Sequence, residues 1–147
     1  METEVKRILI VDDSPKDVEL TIAALSENNI ANEIIVAEDG EEALDYLYKR
    51  GKFLNEPGYP AVILLDIKMP KMNGIEVLKH IRNDSKFKLI PVIMVTSSRE
   101  ERDLVESYKL GANSYVVKPV DFTQFMEAIK ILGQYWAIVN HPPPINL

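Results

Sequence analysis

The chain has 147 residues, which suits one domain with a single sizeable core. Its 17 basic and 23 acidic residues give a net charge of −6, and this balance argues against bulk binding to nucleic acid. There is no cysteine, so disulfides, thiolate metal sites and cysteine catalysis are excluded. Residues 1–4 are polar and acidic, unlike a signal peptide, and no apolar stretch approaches the roughly 20 residues that span a bilayer. These features predict a cytoplasmic protein without a membrane anchor.

Short apolar runs rich in β-branched residues recur along the chain. Such runs are typical of parallel strands that are buried on both faces of a sheet. They cover residues 7–11, 33–37, 61–65, 91–95 and 115–117. A long, turn-rich connection at residues 51–60 precedes the third run.

Each run is followed by a pattern that predicts the start of a helix. A capping side chain stands three positions before an acceptor side chain, as in a capping box. These patterns begin at Ser14, Asp39, Asn73, Ser98 and Asp121. Apolar residues then follow at the spacing of a helix face that packs on a core. They are Val18, Ile22, Leu25; Ala43, Leu44, Leu47; Ile75, Leu78, Ile81; Leu104, Val105, Tyr108; and Phe122, Phe125, Met126, Ile129, Leu132.

A strand followed by a helix, five times over, predicts an α/β fold with a parallel sheet and helices on both faces. We expect one domain over residues 1–133. Residues 134–147 are expected to form a helix extension and a proline-rich tail.

Polar side chains stand at the carboxyl ends of four of the predicted strands. They are Asp12 and Asp13, Asp66, Thr96, and Lys118. In open α/β sheets ligands bind outside these strand ends, so the five residues should lie on one rim. Each group alone has an ordinary interpretation, such as a helix cap or a turn. Together they favour a shared site for a divalent cation and a phosphoryl group.

The residue types at this rim suit phosphoryl transfer. Carboxylates bind Mg²⁺ or Mn²⁺, and we expect Asp13 and Asp66 to be direct ligands, with Asp12 acting through water. A carboxylate beside such a cation can also attack phosphorus and form an aspartyl phosphate. The Thr96 hydroxyl and the Lys118 ammonium would stabilise the transferred group.

From about residue 6 to residue 133, the chain resembles the receiver domains of bacterial two-component response regulators. The acidic pair, Asp66 within D-I-K-M-P, the hydroxyl and the K-P pair all match the motifs of that family. The resemblance implies a flavodoxin-like (βα)5 fold with strand order 2-1-3-4-5. It also implies that Asp66 is the phosphoacceptor and that the backbone carbonyl of Lys68 is a further metal ligand.

The resemblance assigns further roles around the site. Pro70 and Gly74 belong to the turn after the phosphoacceptor. Tyr115 matches the switch aromatic, although an ordinary strand tyrosine would fit the same pattern. Pro119 matches a proline that follows a cis peptide bond in similar proteins. Ser98 and Lys68 occupy positions that influence access of water to the phosphoryl group in relatives.

The leading hypothesis is a stand-alone response regulator, phosphorylated by a sensor histidine kinase or phosphotransfer protein, that signals to an unknown downstream protein by contact. The alternative is a phosphate sink or phosphorelay intermediate. We expect no catalysis beyond its own phosphorylation and dephosphorylation. An aspartate-nucleophile phosphatase would need a second carboxylate where Lys68 stands, and no glycine-rich nucleotide-binding loop occurs.

The long connection and the aromatic residues near the C-terminus resemble regulators that pair with phytochrome-like histidine kinases. A second apolar stripe, Ile131, Tyr135 and Ile138, lies on another face of the fifth helix. The tail could cover this stripe, but we favour a homodimer. Similar proteins pair through the fourth helix, fifth strand and fifth helix.

Overall fold

The computed structural model describes residues 7–27, 33–118, 122–133 and 135. Its strands are β1 (Arg7–Val11), β2 (Glu33–Ala37), β3 (Val62–Leu65), β4 (Val92–Thr96) and β5 (Ser114–Val117). Its helices are α1 (Pro15–Glu27), α2 (Gly40–Tyr48), α3 (Gly74–Asn83), α4 (Glu101–Lys109) and α5 (Phe122–Gly133). The predicted strands are confirmed to within one residue at each end.

All five strands pair in parallel, in the order β2-β1-β3-β4-β5. Strand β1 lies between β2 and β3, where Ile8 pairs with Ile34 on one side and with Val62 on the other. The predicted α/β fold and its strand order are therefore confirmed.

Alternate residues of the strands enter two separate cores, one on each face of the sheet. In β1, Leu9 and Val11 pack with α2 and α3, whereas Ile8 and Ile10 pack with α1. Because both faces are covered, the strands are apolar at almost every position instead of alternating with polar residues.

Three of the predicted helix caps are present. The backbone N–H of Asp17 donates to the Ser14 hydroxyl at 3.3 Å, and Pro15 is the first residue of α1. Asp39 caps α2 by accepting a 2.9 Å bond from Glu42 N, and Asn73 caps α3 by accepting a bond of the same length from Glu76 N. The pattern at Asp121 lies outside the described residues.

The predicted cap at Ser98 is wrong, because α4 begins three residues later and Glu100 occupies its cap position without a side-chain bond. The expected core face of this helix is also wrong. Leu104, Val105 and Tyr108 are 38%, 43% and 51% exposed, and Ser107 is the buried residue of α4. Tertiary packing therefore leaves the apolar stripe of α4 exposed, which its spacing alone did not show.

Residues 51–60 are partly exposed but are anchored to the end of α2. A single 3₁₀ turn at Gly51–Phe53 begins the connection. Lys49 lies 3.9 Å from the ring centre of Tyr46 and 4.8 Å from that of Tyr59, and its ammonium donates to the carbonyl of Gly58. These contacts hold the connection against the end of α2.

The loop between α3 and β4 packs on the same aromatic side chains. The Lys86 ammonium donates to the Tyr59 hydroxyl at 2.8 Å, and the Tyr48 hydroxyl donates to Asp84. Phe87 is buried between the rings of Tyr48 and Tyr59. The amino-terminal ends of β3 and β4 are thereby linked through side chains.

No helix in the described part of the chain is long and apolar enough to cross a membrane.

Candidate functional site

The predicted polar residues do meet at the carboxyl ends of the strands. Asp12 directly follows β1, Asp66 directly follows β3, Thr96 ends β4, and Lys118 directly follows β5. Backbone bonds extend the sheet past these ends. Asp66 N donates to Val11 O at 3.0 Å, and Lys118 N donates to Thr96 O at 2.7 Å. The hydrogen-bond ladder of the sheet therefore fixes the backbone positions of these residues.

The Lys118 ammonium lies at the centre of the site. It donates to Asp12 Oδ2 at 2.8 Å, to Asp17 Oδ2 at 2.9 Å and to Asp66 Oδ2 at 3.2 Å. An ammonium has three N–H groups, so these bonds use its full donor capacity. The side chains of Lys118, Asp12 and Asp66 are only 11%, 7% and 8% exposed. Their charges are therefore weakly screened by water.

Burial and pairing shift the ionisation of this cluster in predictable directions. Burial raises the pKa of Asp12, although bonds from Lys118 and from the backbone of Ser14 oppose that effect. Burial alone would lower the pKa of Lys118, but its bonds to Asp12 and Asp17 outweigh this effect and raise its pKa above the usual value. Lys118 therefore stays protonated at neutral pH.

Asp12, Asp13 and Asp66 form a cluster that can hold a metal ion. One carboxylate oxygen from each lies within 4.8 Å of the others. Asp12 and Asp66 are buried, whereas Asp13 is exposed and can be reached from solvent. A set of anionic oxygen atoms fits a hard divalent cation such as Mg²⁺ or Mn²⁺.

Lys68 lies beside this cluster, on an open cleft that Asp13, Met69, Asn73 and Glu100 also line. Its side chain is 65% exposed, and its ammonium lies 3.8 Å from Glu100. A pair this exposed contributes little to stability. The side chain therefore remains free to move at the mouth of the cleft.

The turn after Asp66 depends on a glycine. Gly74 N donates to Ile67 O at 2.8 Å, and a Cβ at position 74 would lie 1.9 Å from the carbonyl oxygen of Asp66. No other residue type can approach the end of β3 this closely without moving the backbone. Pro70 is exposed in the same turn, where its carbonyl accepts from Met72 N at 2.8 Å.

Thr96 and Tyr115 are connected through Ser98. Thr96 is fully buried, and its hydroxyl oxygen accepts from Ser98 N at 3.2 Å. The hydroxyl of the half-buried Tyr115 donates to Ser98 O at 3.2 Å. The Ser98 hydroxyl donates to Asp103 Oδ2 at 2.6 Å, which joins the same loop to α4. A displacement of Thr96 would thus reach both the tyrosine and the helix.

Sequence reasoning missed Asp17. The pattern at Ser14 treats this residue as a capping acceptor, but its carboxylate bonds to Lys118 instead. A signal was available, because Asp17 lies one helical turn after the acidic pair at the amino end of α1, where a side chain can reach the rim. The capping pattern was a sufficient explanation for an acid at this position, and it hid the second role.

Some predicted residues lie outside the site or outside the described part of the chain. Ile131 and Tyr135 are 57% and 48% exposed on and just after α5. Pro119 and Ile138 lie outside the described residues, as does most of the segment 134–147.

Comparisons with known proteins agree on one family. A family model described as the response regulator receiver domain matches residues 8–130. The response regulator Rcp1 of Synechocystis is 35% identical over 131 residues, which cover 89% of this chain and 88% of Rcp1. The chain also resembles the solved structure of the Mn²⁺-bound form of Rcp1, with a TM-score of 0.88, 34% identity and coverage of 94% of this chain and 99% of that one.

Two further solved structures bear names connected with phytochromes. The phosphorylated cyanobacterial phytochrome response regulator RcpA aligns with a TM-score of 0.89 and 34% identity, covering 95% of this chain and 99% of RcpA. The bacteriophytochrome response regulator AtBRR is 54% identical, with a TM-score of 0.74 and coverage of 95% of this chain and all of the other.

The acidic cluster predicts stabilisation by magnesium. A ligand that binds only the folded state stabilises it by about 2.7 kcal/mol at one hundred times its Kd. Mg²⁺ should therefore raise the melting temperature of the wild type in a concentration-dependent way, as calorimetry would measure. Asp13→Ala should abolish the rise, whereas Glu38→Ala, which removes an exposed carboxylate outside the cluster, should preserve it. An unchanged response of Asp13→Ala would remove Asp13 from the site.

Proposed function

The chain belongs to the response regulator receiver domain family, and on that premise we propose that it accepts a phosphoryl group on Asp66 and passes the signal on by protein contact. The observation that carries the proposal is the cluster in which Asp66 shares one ammonium with Asp12 beside the exposed Asp13. Membership of the family implies a histidine kinase or a phosphotransfer protein as the donor. We infer that the protein works in the cytoplasm.

In the proposed reaction, a carboxylate oxygen of Asp66 attacks the phosphorus of a phosphohistidine. The new P–O bond forms as the P–N bond breaks, and the electron pair returns to the histidine nitrogen of the donor. Asp66 is held ready for this step, because Ile67 N donates to its Oδ1 at 2.7 Å and Lys118 donates to its Oδ2. These fixed bonds limit the motion of the nucleophile.

Asp12, Asp13, Asp66 and the carbonyl of Lys68 would hold Mg²⁺ or Mn²⁺, which when bound offsets the negative charge of the carboxylates and the phosphoryl oxygens. The name of the Mn²⁺-bound Rcp1 structure and the oxygen donors of this cluster support the assignment. Lys118 would donate to a phosphoryl oxygen as a fixed cation, since its raised pKa makes it a poor source of protons.

We further propose that Thr96 and Tyr115 convert phosphorylation into a change of surface. The Thr96 hydroxyl would leave Ser98 N to donate to the phosphoryl group. Tyr115, which now donates to Ser98 O, would then change position with the loop. The unphosphorylated and phosphorylated states would then differ in these bonds, and phosphorylation would shift the population between the two conformations.

A kinase of the phytochrome type is the proposed phosphodonor. The names of RcpA and AtBRR support this assignment, and AtBRR shares more than half of its aligned residues with this chain. We also propose that residues 1–133 form the receiver domain and that residues 134–147 form an extension of it.

Homodimerisation is the proposed form of assembly. Ile131 and Tyr135 expose apolar surface at α5, and Leu104, Val105 and Tyr108 do the same on α4. Large apolar patches exposed on a protein surface are typical of interaction sites. Helix α4 also carries Asp103, which bonds to the loop after Thr96, so phosphorylation could alter the pairing surface.

The nucleophile is tested by labelling with a small phosphodonor. Acetyl phosphate and Mg²⁺ should add one acyl phosphate to the wild type, and peptide mapping by mass spectrometry should place it on Asp66. Asp66→Asn should take up none, because an amide is not a nucleophile. Asp84→Asn, which changes a carboxylate in the α3–β4 loop, should be labelled normally. Label on Asp12 or Asp13 would overturn the assignment.

The switch is tested with fluorinated tyrosine. Phosphorylation should shift the ¹⁹F resonance of Tyr115, which is assigned by its loss in Tyr115→Phe. Thr96→Ala should still accept phosphate, but its Tyr115 signal should not shift, because the hydroxyl that couples the two is absent. Thr123→Ala, an exposed threonine of α5, serves as the control. A wild-type signal that never moves on phosphorylation would favour a phosphate sink.

The dimer is tested by light scattering. The full chain should measure as a dimer, whereas Val105→Asp and Tyr135→Asp should shift it to a monomer because a charge is costly inside an apolar interface. Leu54→Asp places the same charge on a residue that is 65% exposed in the α2–β3 connection and should leave the dimer intact. A wild type that stays monomeric at high concentration, phosphorylated or not, would contradict the proposal.

A further inference from the structure

Asp17 is a third carboxylate on the Lys118 ammonium. Its Oδ2 lies 2.9 Å from Lys118 Nζ, as close as the oxygen of Asp12 at 2.8 Å and closer than that of Asp66 at 3.2 Å. Asp17 comes from α1, whereas the other two carboxylates follow strands. The ammonium is therefore held from a helix as well as from the sheet.

The backbone of Asp17 is fixed on both sides. Its N–H donates to the Ser14 hydroxyl at 3.3 Å, and its carbonyl accepts from the hydroxyl of the buried Thr21 at 2.9 Å. Its side chain is 32% exposed, compared with 11% for Lys118. A mostly covered ion pair on an anchored turn holds its geometry better than a pair of mobile surface side chains.

The three carboxylates around Lys118 differ in what else they must do. Asp12 and Asp66 belong to the cluster that can hold a cation, and Asp66 is also the proposed nucleophile. Asp17 is not part of that cluster. If the first two turned their oxygens to a cation or to phosphorus, Asp17 would remain as the partner that keeps Lys118 in place.

We propose that Asp17 is a positioning residue, which anchors the Lys118 ammonium so that one of its N–H groups can pass from Asp66 to a phosphoryl oxygen. This inference rests on the proposed function and adds a fourth carboxylate to the site. It assigns to Asp17 no contact with the phosphoryl group. The residue acts through Lys118, and this dependence can be measured.

The test compares Asp17→Asn with Glu19→Gln. Both substitutions remove one negative charge from α1 at nearly constant size, but only Asp17 contacts Lys118. With acetyl phosphate and Mg²⁺ at saturating concentrations, Asp17→Asn should phosphorylate Asp66 about ten times more slowly, because the donor is no longer fixed. Glu19→Gln should match the wild type. Thermal melting checks that both variants are folded.

Two further measurements separate positioning from a general loss of structure. In a Lys118→Met background, Asp17→Asn should slow phosphorylation no further, because its effect runs through the ammonium. In ¹⁵N NMR spectra, the Lys118 ammonium should exchange protons with water faster in Asp17→Asn than in the wild type or in Glu19→Gln. This second readout needs no phosphodonor.

The outcomes are distinguishable. If wild-type label maps to a residue other than Asp66, the proposed function fails. If the wild type is labelled on Asp66 and Asp17→Asn reacts at the same rate, only the role of Asp17 is overturned. An equal loss of rate in Asp17→Asn and Glu19→Gln, or an added loss in the Lys118→Met background, would also overturn it.

Discussion

The site depends on one buried ammonium that three carboxylates share. Asp12, Asp17 and Asp66 approach Lys118 from positions 106, 101 and 52 residues away in the chain. Two of these carboxylates are almost fully buried, and an unpaired charge in such a place is strongly destabilising. Lys118 therefore has a role in folding and in chemistry. Its ammonium lowers the free-energy cost of burying the carboxylates, and it is also the proposed donor to the phosphoryl group.

The topology of the sheet makes this arrangement possible. Strands β1 and β3 are neighbours, so Asp12 and Asp66 emerge side by side. Lys118 reaches them from the far side of β4 because a lysine side chain is long, and its backbone is fixed by its bond to Thr96 O. Helix α1 starts at the same rim and adds Asp17 from its first turn. Three regions that are distant in sequence, residues 12–17, Asp66 and Lys118, thus share one charge centre.

The predictions from sequence succeeded where one local signal decides the structure. An apolar run followed by an aspartate predicts both a strand and the position of its carboxyl end. The residues of the rim could therefore be predicted from sequence. Helix α4 shows the limit of this approach. Its apolar stripe suggested a core face, but Leu104 and Tyr108 are exposed. Spacing defines a stripe, whereas tertiary packing decides which way it faces.

Asp17 marks a second limit, because its partner is a lysine 101 residues away and no local pattern encodes that distance. A carboxylate three residues after Ser14 has a sufficient explanation in the capping pattern. Sequence reasoning stopped at that explanation. Only the placement of the end of β5 beside the start of α1, which is a property of the whole fold, gives this residue its second partner.

The aromatic and lysine contacts around Tyr59 lie at only one of the two ends of the sheet. Where β3 and β4 begin, side chains of three segments contact one another: α2, the α2–β3 connection and the α3–β4 loop. At the opposite end, the loop after β4 is joined to its neighbours mainly through the bonds of Ser98. We therefore expect a disturbance at the rim to displace the loop after β4 more readily than the packed loops at the other end.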